Sequence, residues 1–282
     1  QYAQWCVFRL AKENGITVLL DGQGADEILG GYEQYFYAYL DDDRERDAGA
    51  RKKEESAIRA RYPLALHNRR QSFGRALPHA LRRTLAMLTG KGSDVLFGLE
   101  AGLAADVARA NAERDTGPFG GLAGELYRDA FHTHLPTLLR YGDRNSMAHS
   151  REVRLPFCDH RLAELSLSLP PGHLMGEAQT KRLLRESMRD ILPESIRTRW
   201  PKQGFLPPQE NWFRDGLLAR ADEIIQAPDF AASGMWNVPW WRRLVKRLHG
   251  GEEHLSWVLW RPLIAETWRV HFIERTRKSP HR

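Results

Sequence analysis

Apolar residues fall along this chain in one short continuous run and in many helical repeats. The run is Ile16, Val18, Leu19 and Leu20, which predicts a parallel strand covered on both faces. Before it, Tyr2, Trp5, Cys6, Phe8 and Leu10 recur as in an amphipathic helix that stops at Asn14-Gly15. After it, Gly22 and Gly24 permit a sharp turn, and a helix is expected from about Ala25 to about Leu40. This order sets the free N–H groups of a helix start above the carboxyl end of a strand, a natural place for an anion. Asp21, Gly22, Gln23, Gly24, Asp26 and Glu27 occupy that place. The same residues also read as a helix cap, tight-turn glycines and acids favoured by the helix dipole.

Helical spacing dominates the remainder. Leu126, Ala130, Phe131, Leu135, Leu138 and Leu139 predict a helix around Tyr127 to Leu139, bent at Pro136. Asp159 reads as the N-cap of a helix carrying Leu162, Leu165 and Leu169 and ended by Pro170-Pro171. A stripe of Leu183, Leu184, Met188, Ile191 and Leu192 predicts a helix from about Thr180 to Leu192, with Lys181 on its surface side. Between Trp236 and Trp268 lie six of the nine tryptophans, at spacings that favour packing over a stacking platform. The charged segment Arg140 to Asp159 predicts buried ion pairs, with Arg144 the arginine best suited to grip a ligand anion. The expected architecture is mainly α with an incomplete parallel sheet, since a lone strand needs partners.

Composition narrows the function classes. A net charge of +6 over 282 residues invites a nucleic-acid reading, but residues 44–83 carry 12 Lys and Arg against 4 Asp and Glu. The basicity is therefore local, and no aromatic interleaving or nucleic-acid motif accompanies it, so solvated helices are preferred over nucleic acid, with a mobile insertion over a site as a third reading. No stretch reaches the ~18 apolar residues of a membrane span. Cys6 and Cys158 lack disulfide or zinc spacing and suit a cytoplasmic protein. His132 and His134 have no carboxylate or cysteine at ligand spacing, which argues against a metal there.

Five ordered blocks then carry a resemblance. Leu20-Asp21-Gly22-Gln23-Gly24-Ala25-Asp26-Glu27 through Tyr32 resembles the L-S-G-[D/E]-G-x-D-E-x-F-x-G-Y run of the asparagine synthetase family. Leu138 to Ala148 is similar to its L-L-R-x-D-R-x-S-M-A segment, and Glu152 to Asp159 to its E-x-R-x-P-F-L-D segment. Thr180 to Arg185 and Pro201 to Phe205 are similar to two later blocks.

The resemblance implies the C-terminal part of an α/β adenine-nucleotide synthetase domain. Residues 1–40 would be a remnant of the nucleotide-binding core, 41–125 a basic helical insertion or lid, and 126–282 the helical remainder. It implies ATP and Mg2+, adenylation of aspartate or another carboxylate, and amidation by ammonia from glutamine. Upstream it implies a pyrophosphate loop of the S-G-G-x-D-S type and an N-terminal glutaminase domain; a homodimer is a further expectation. By the same resemblance Asp21, Gly22, Gly24 and Arg144 fall at nucleotide-binding positions, Asp26 at a metal-binding carboxylate, and Gln23 and Lys202 at catalytic positions. Two departures matter: Asp21 stands where the family has serine, and Gln23 where it has an acid tied to acyl-adenylate formation. They keep open a relative that adenylates another carboxylate, such as an amide-forming or peptide-cyclising synthetase. From another class, a non-catalytic helical binding module remains.

Overall fold

The computed structural model describes residues 1–42, 47–63, 65–66, 98–112, 120–200 and 207–274. Lys202 and most of the arginine-rich stretch lie outside the described residues. The first elements are α1 (Tyr2–Glu13), β1 (Val18–Leu20), α2 (Ala25–Leu29), α3 (Phe36–Asp42) and α4 (Ala48–Arg61). Then come α5 (Ala101–Ala112), α6 (Gly121–Phe131), α7 (His134–Met147), β2 (Glu152–Arg154), α8 (His160–Ser168) and α9 (Arg182–Ser187). The last are α10 (Leu218–Gln226), α11 (Val238–His249) and α12 (Ser256–Trp268). The chain is thus mostly helical, with a two-stranded parallel sheet among the described residues. It divides into two units, Gln1–Arg75 with Arg114–Phe205, and Ala76–Glu113 with Leu206–Arg282.

In the first unit β1 pairs with β2 in the register Val18↔Glu152, Leu19↔Val153, Leu20↔Arg154. Such a parallel pair requires a long crossover, which the intervening helices supply. Arg151 fastens the start of the pair by donating to the Ile16 carbonyl at 2.8 Å. The strand is not covered on both faces as its apolar run suggested: Val18 is 39% and Leu20 75% exposed. Pleating turns these two residues to one side of the sheet, which is open among the described residues. The core lies instead among the helices, where Ile28, Leu29, Phe36, Tyr39, Leu40, Ile58, Leu122 and Leu126 are buried together.

Glycine and the Thr133 break redraw two expected helices. The helix expected from Ala25 to Leu40 is split because Gly30 closes α2 in the left-handed region, φ 68°. The helix expected around Tyr127 to Leu139 is two helices, α6 and α7, separated at His132 and non-helical Thr133. Pro136 causes no bend, because it sits in the first turn of α7, where its missing N–H has no intrahelical partner to lose. The helix expected from Thr180 to Leu192 shrinks to α9. Asp159 does cap α8, accepting from the Arg161 N–H at 2.9 Å.

The charged segment before α8 holds its ions at the surface. Arg154 pairs with Glu152 at 2.7 Å with both side chains exposed, which corrects the expectation of buried pairs, since a short strand edge offers no desolvated interior. The buried polar contacts lie elsewhere: the Tyr35 hydroxyl donates to Asp129 at 2.8 Å and Thr133 donates to the same carboxylate at 2.6 Å. Burial and the Asp129 charge hold the Tyr35 phenol protonated by raising its pKa. Tyr35→Phe should cost about 1–3 kcal/mol, the scale for leaving a buried acceptor short of a donor, read as a lower urea midpoint.

The second unit has its own core of Phe213, Ile225, Phe230, Trp241, Leu244, Val245 and Leu259. Trp241 is fully buried, donates from Nε1 to the Gly98 carbonyl at 2.7 Å, and meets Trp240 edge-on at 4.7 Å between ring centres. Most of the C-terminal tryptophans therefore pack, while Trp257 and Trp268 are exposed. No helix of the described residues is long and apolar enough to cross a membrane.

Candidate active site

The site grows from the carboxyl end of β1. Asp21 extends the strand pairing by donating its N–H to the Arg154 carbonyl at 3.0 Å, so the following loop leaves beside the end of β2. Gly24 then starts α2 at φ 96°, and a Cβ there would stand 3.0 Å from Cys158 Sγ and 3.3 Å from the Phe157 carbonyl oxygen. Only glycine fits both demands. The Cys158 thiol donates to the Gln23 carbonyl at 3.5 Å, and burial, with the Glu27 and Asp21 charges, pushes its pKa up. Asp21, Gly22, Gln23 and Gly24 are thus gathered against the segment after β2. Asp21 does not cap α2, whose N-cap is Gly24.

Asp26, on the first turn of α2, meets a cation that sequence spacing put at the surface. Lys181 Nζ lies 2.9 Å from Asp26 Oδ1, with about a quarter of each side chain exposed. Lys181 precedes α9 in the left-handed region at φ 53°, its N–H directed to the Gly30 carbonyl at 3.4 Å. That conformation takes it off the helical surface expected for it. A Cβ on Gly31 would fall 1.9 Å from Asp26 Oδ1 and 2.5 Å from Lys181 Cε, so glycine makes room for the pair. Periodicity missed Lys181 because the predicted helix ran through it; its signal was the Thr180 to Arg185 block.

A pocket of about 300 Å³ opens beside this pair, lined by Thr180, Lys181, Arg185, Arg197, Arg199 and Trp200 among others. Arg185 donates from Nε to the Thr180 carbonyl at 2.7 Å and from Nη1 to the Arg197 carbonyl. Burial lowers its pKa, opposed by Tyr62 and reinforced by Arg61, Arg197 and Arg199. Trp200 stands edge-on to Tyr62 at 5.6 Å. Clustered cations with an aromatic wall suit a ligand carrying negative charge and a flat ring.

Behind Asp26 sits Glu27, 1% exposed. Tyr32 donates its hydroxyl to Glu27 Oε1 at 2.7 Å, and His134 Nδ1 lies 3.3 Å from the same oxygen. Burial opposes the charge, but the His134 and Tyr32 contacts outweigh it and the Glu27 pKa is lowered. A lowered carboxyl pKa contributes stability that is complete above the ordinary glutamate range and is lost as pH falls through the folded value. Glu27→Gln should therefore flatten the acid limb of the urea midpoint against pH, measured beside the unchanged protein.

Not every expected residue joins the site. Arg144 is exposed on α7, and its guanidinium makes no hydrogen bond or ion pair among the described residues. Lys202 lies outside the described residues. His134 does find a carboxylate, Glu27, from far along the chain, yet no group of three or more metal-ligating side chains gathers among the described residues.

The comparisons with known proteins point the same way. The asparagine synthase family model matches residues 1–270. A putative glutamine-hydrolyzing asparagine synthetase of Mycobacterium tuberculosis is 26% identical over 96% of this chain and 42% of its own length. Glutamine-hydrolyzing asparagine synthetase 1 of Bacillus subtilis is 27% identical over 78% of this chain and 35% of its own. The rat enzyme of the same name is 39% identical over a shorter stretch, 26% of this chain and 14% of its own. This chain spans less than half the length of these curated relatives. With its strand, glycine turn and acidic helix start inside a match over nearly all of its length, the chain belongs to the asparagine synthase family.

Proposed function

We propose that this chain is part of an ATP-dependent amide-forming synthetase that activates a carboxylate as its acyl-adenylate. The observation that carries the reading is the Asp26–Lys181 pair lining a cationic pocket, with Asp26 on the helix that follows β1 and its glycine turn. In the proposed reaction a substrate carboxylate oxygen attacks the α-phosphorus of ATP, the bond to the bridging oxygen breaks, and pyrophosphate leaves with the electron pair. Ammonia then adds to the acyl carbon, AMP departs and a proton is lost, leaving an amide.

Each residue has a role in this reading. The glycine-rich turn at Asp21, Gly22 and Gly24 would hold the nucleotide against the strand ends. Lys181 would place its ammonium on the phosphates as charge builds there, Lys202, by resemblance, would add a further cation, and Arg144 would add another. Gln23 can donate and accept hydrogen bonds near the reacting carboxylate but carries no charge. Asp26 could give magnesium one carboxylate in place of its contact with Lys181, as suits an ion held by one or two protein carboxylates and by phosphates. Magnesium bound there would polarise phosphate oxygens.

Names of the relatives specify asparagine synthetase acting with glutamine hydrolysis. We carry over aspartate as the carboxylate, ammonia from glutamine as the nitrogen source, a glutaminase domain in the intact protein, a homodimer and a cytoplasmic setting as parts of the same proposal. Asp21 and Gln23, in place of serine and an acid, favour one second reading, a relative that adenylates a different carboxylate. ATP–pyrophosphate exchange by the intact protein tests both. Exchange stimulated by aspartate supports asparagine synthesis, exchange stimulated by another carboxylate supports the second reading, and no exchange with any carboxylate overturns the enzyme.

A further inference from the structure

α2 is five residues long and is bounded at both ends by left-handed glycines, Gly24 at φ 96° and Gly30 at φ 68°. A helix this short does not hold its own direction, so the aim of Asp26 depends on what anchors its neighbours. Ile28 and Leu29 anchor it by burial, and Lys181 holds it at Asp26 and the Gly30 carbonyl. Glu27 adds a directional anchor on its inner side. Its carboxylate is almost completely buried, and among the described residues two side chains donate to it, Tyr32 at 2.7 Å and His134 at 3.3 Å.

His134 is placed for this task by the break that separates α6 from α7. It is the first residue of α7, and its ring meets the Tyr32 ring edge-on at 4.9 Å while 46% of its side chain stays exposed. A half-exposed ring contributes little to a core. What it does contribute is one polar contact to a buried anion about 107 positions earlier in the chain, and so a tie between α7 and the helix that carries Asp26. The other charged groups around the contact are Asp26 on α2 and Asp129 with Arg128 on α6. Asp26 and Asp129 are carboxylates, which accept rather than donate, and Arg128 is paired with Glu125 and Asp129, so none of them replaces His134 as a donor to Glu27.

We propose that His134 is a positioning residue for Asp26, acting through Glu27. The proposal rests on the reading of Asp26 as the magnesium-side carboxylate. Without His134, Glu27 would keep Tyr32 alone and would turn toward water, because a buried carboxylate short of donors is costly. Such a turn shifts a short helix whose direction depends in part on that carboxylate, and outer partners of this kind typically change metal affinity by about 10–100-fold.

The test has two parts. In metal-free protein, the backbone amide resonances of Asp26 and Glu27 should shift in His134→Ala and return in His134→Gln, whose carboxamide N–H can again donate to Glu27. In the intact protein, His134→Ala should raise the Mg2+ concentration for half-maximal ATP–pyrophosphate exchange about 10-fold, with KM for ATP at saturating Mg2+ nearly unchanged and with rescue by His134→Gln. Tyr32→Phe, which removes the other donor, should show the same Mg2+ shift and keeps the test open should His134→Ala fold poorly. Unmoved amides with unchanged Mg2+ dependence in both variants would overturn the positioning role while exchange itself continued. Absence of exchange in the unaltered intact protein would instead overturn the functional reading on which it rests.

Discussion

Lys181→Ala should lower the rate of acyl-adenylate formation about 10²–10³-fold in single-turnover experiments with the intact protein, the scale for losing one preorganised charge partner of a transition state. The expectation follows from where Lys181 stands. It precedes α9 in a left-handed conformation that brings its ammonium to 2.9 Å from Asp26. With only about a quarter of each side chain exposed the pair is more than a surface contact, so the variant should show a lower urea midpoint, yet still fold and bind ATP, because the core beneath the pair is apolar. Lys181→Arg should restore only part of the rate, because a guanidinium spreads its charge over a plane and cannot follow the same path past Gly31. Lys202→Ala, measured beside it, weighs the resemblance against the geometry. A large loss in Lys202→Ala with normal adenylation in Lys181→Ala would assign the phosphate cation to Lys202.

Asp26→Asn should raise the Mg2+ requirement of ATP–pyrophosphate exchange by about 10–100-fold. The substitution preserves size and most hydrogen bonding while removing the charge that faces Lys181. Its melting temperature should fall only slightly, since the Asn carboxamide oxygen can still accept from Lys181 and the core beneath is made by Ile28 and Leu29. Unchanged Mg2+ dependence would remove Asp26 from the metal side of the site. The contrast with His134→Ala is then informative: Asp26→Asn removes the carboxylate itself, and its Mg2+ shift should exceed the one produced through Glu27.

The short apolar run, the glycine turn and the acids after it were enough to place a strand and a helix start near Ala25. These features are local. Gly24 is readable because a left-handed helix entrance leaves few alternatives, and Asp159 because an N-cap satisfies backbone N–H groups one or two residues away. Family membership was equally legible, since it rests on ordered blocks of residue identity.

Helix limits were not legible. The hydrophobic stripe from Leu183 to Leu192 continues past the point where α9 ends, because periodicity reports which face could be buried and says nothing about backbone turns that open a pocket. The faces of β1 were misread for a related reason, as an apolar run states a preference for burial and the surrounding elements decide whether it is met. The pairings that make the site all join distant positions: Asp26 with Lys181, Glu27 with His134, and Gln23 with Cys158. Sequence alone determined a strand-turn-helix unit in an asparagine synthase-type framework. Only the tertiary structure decided which cation faces Asp26 and which histidine reaches Glu27, because such contacts depend on the crossover that lays β2 beside β1 and on the α6–α7 break, neither of which any local pattern encodes.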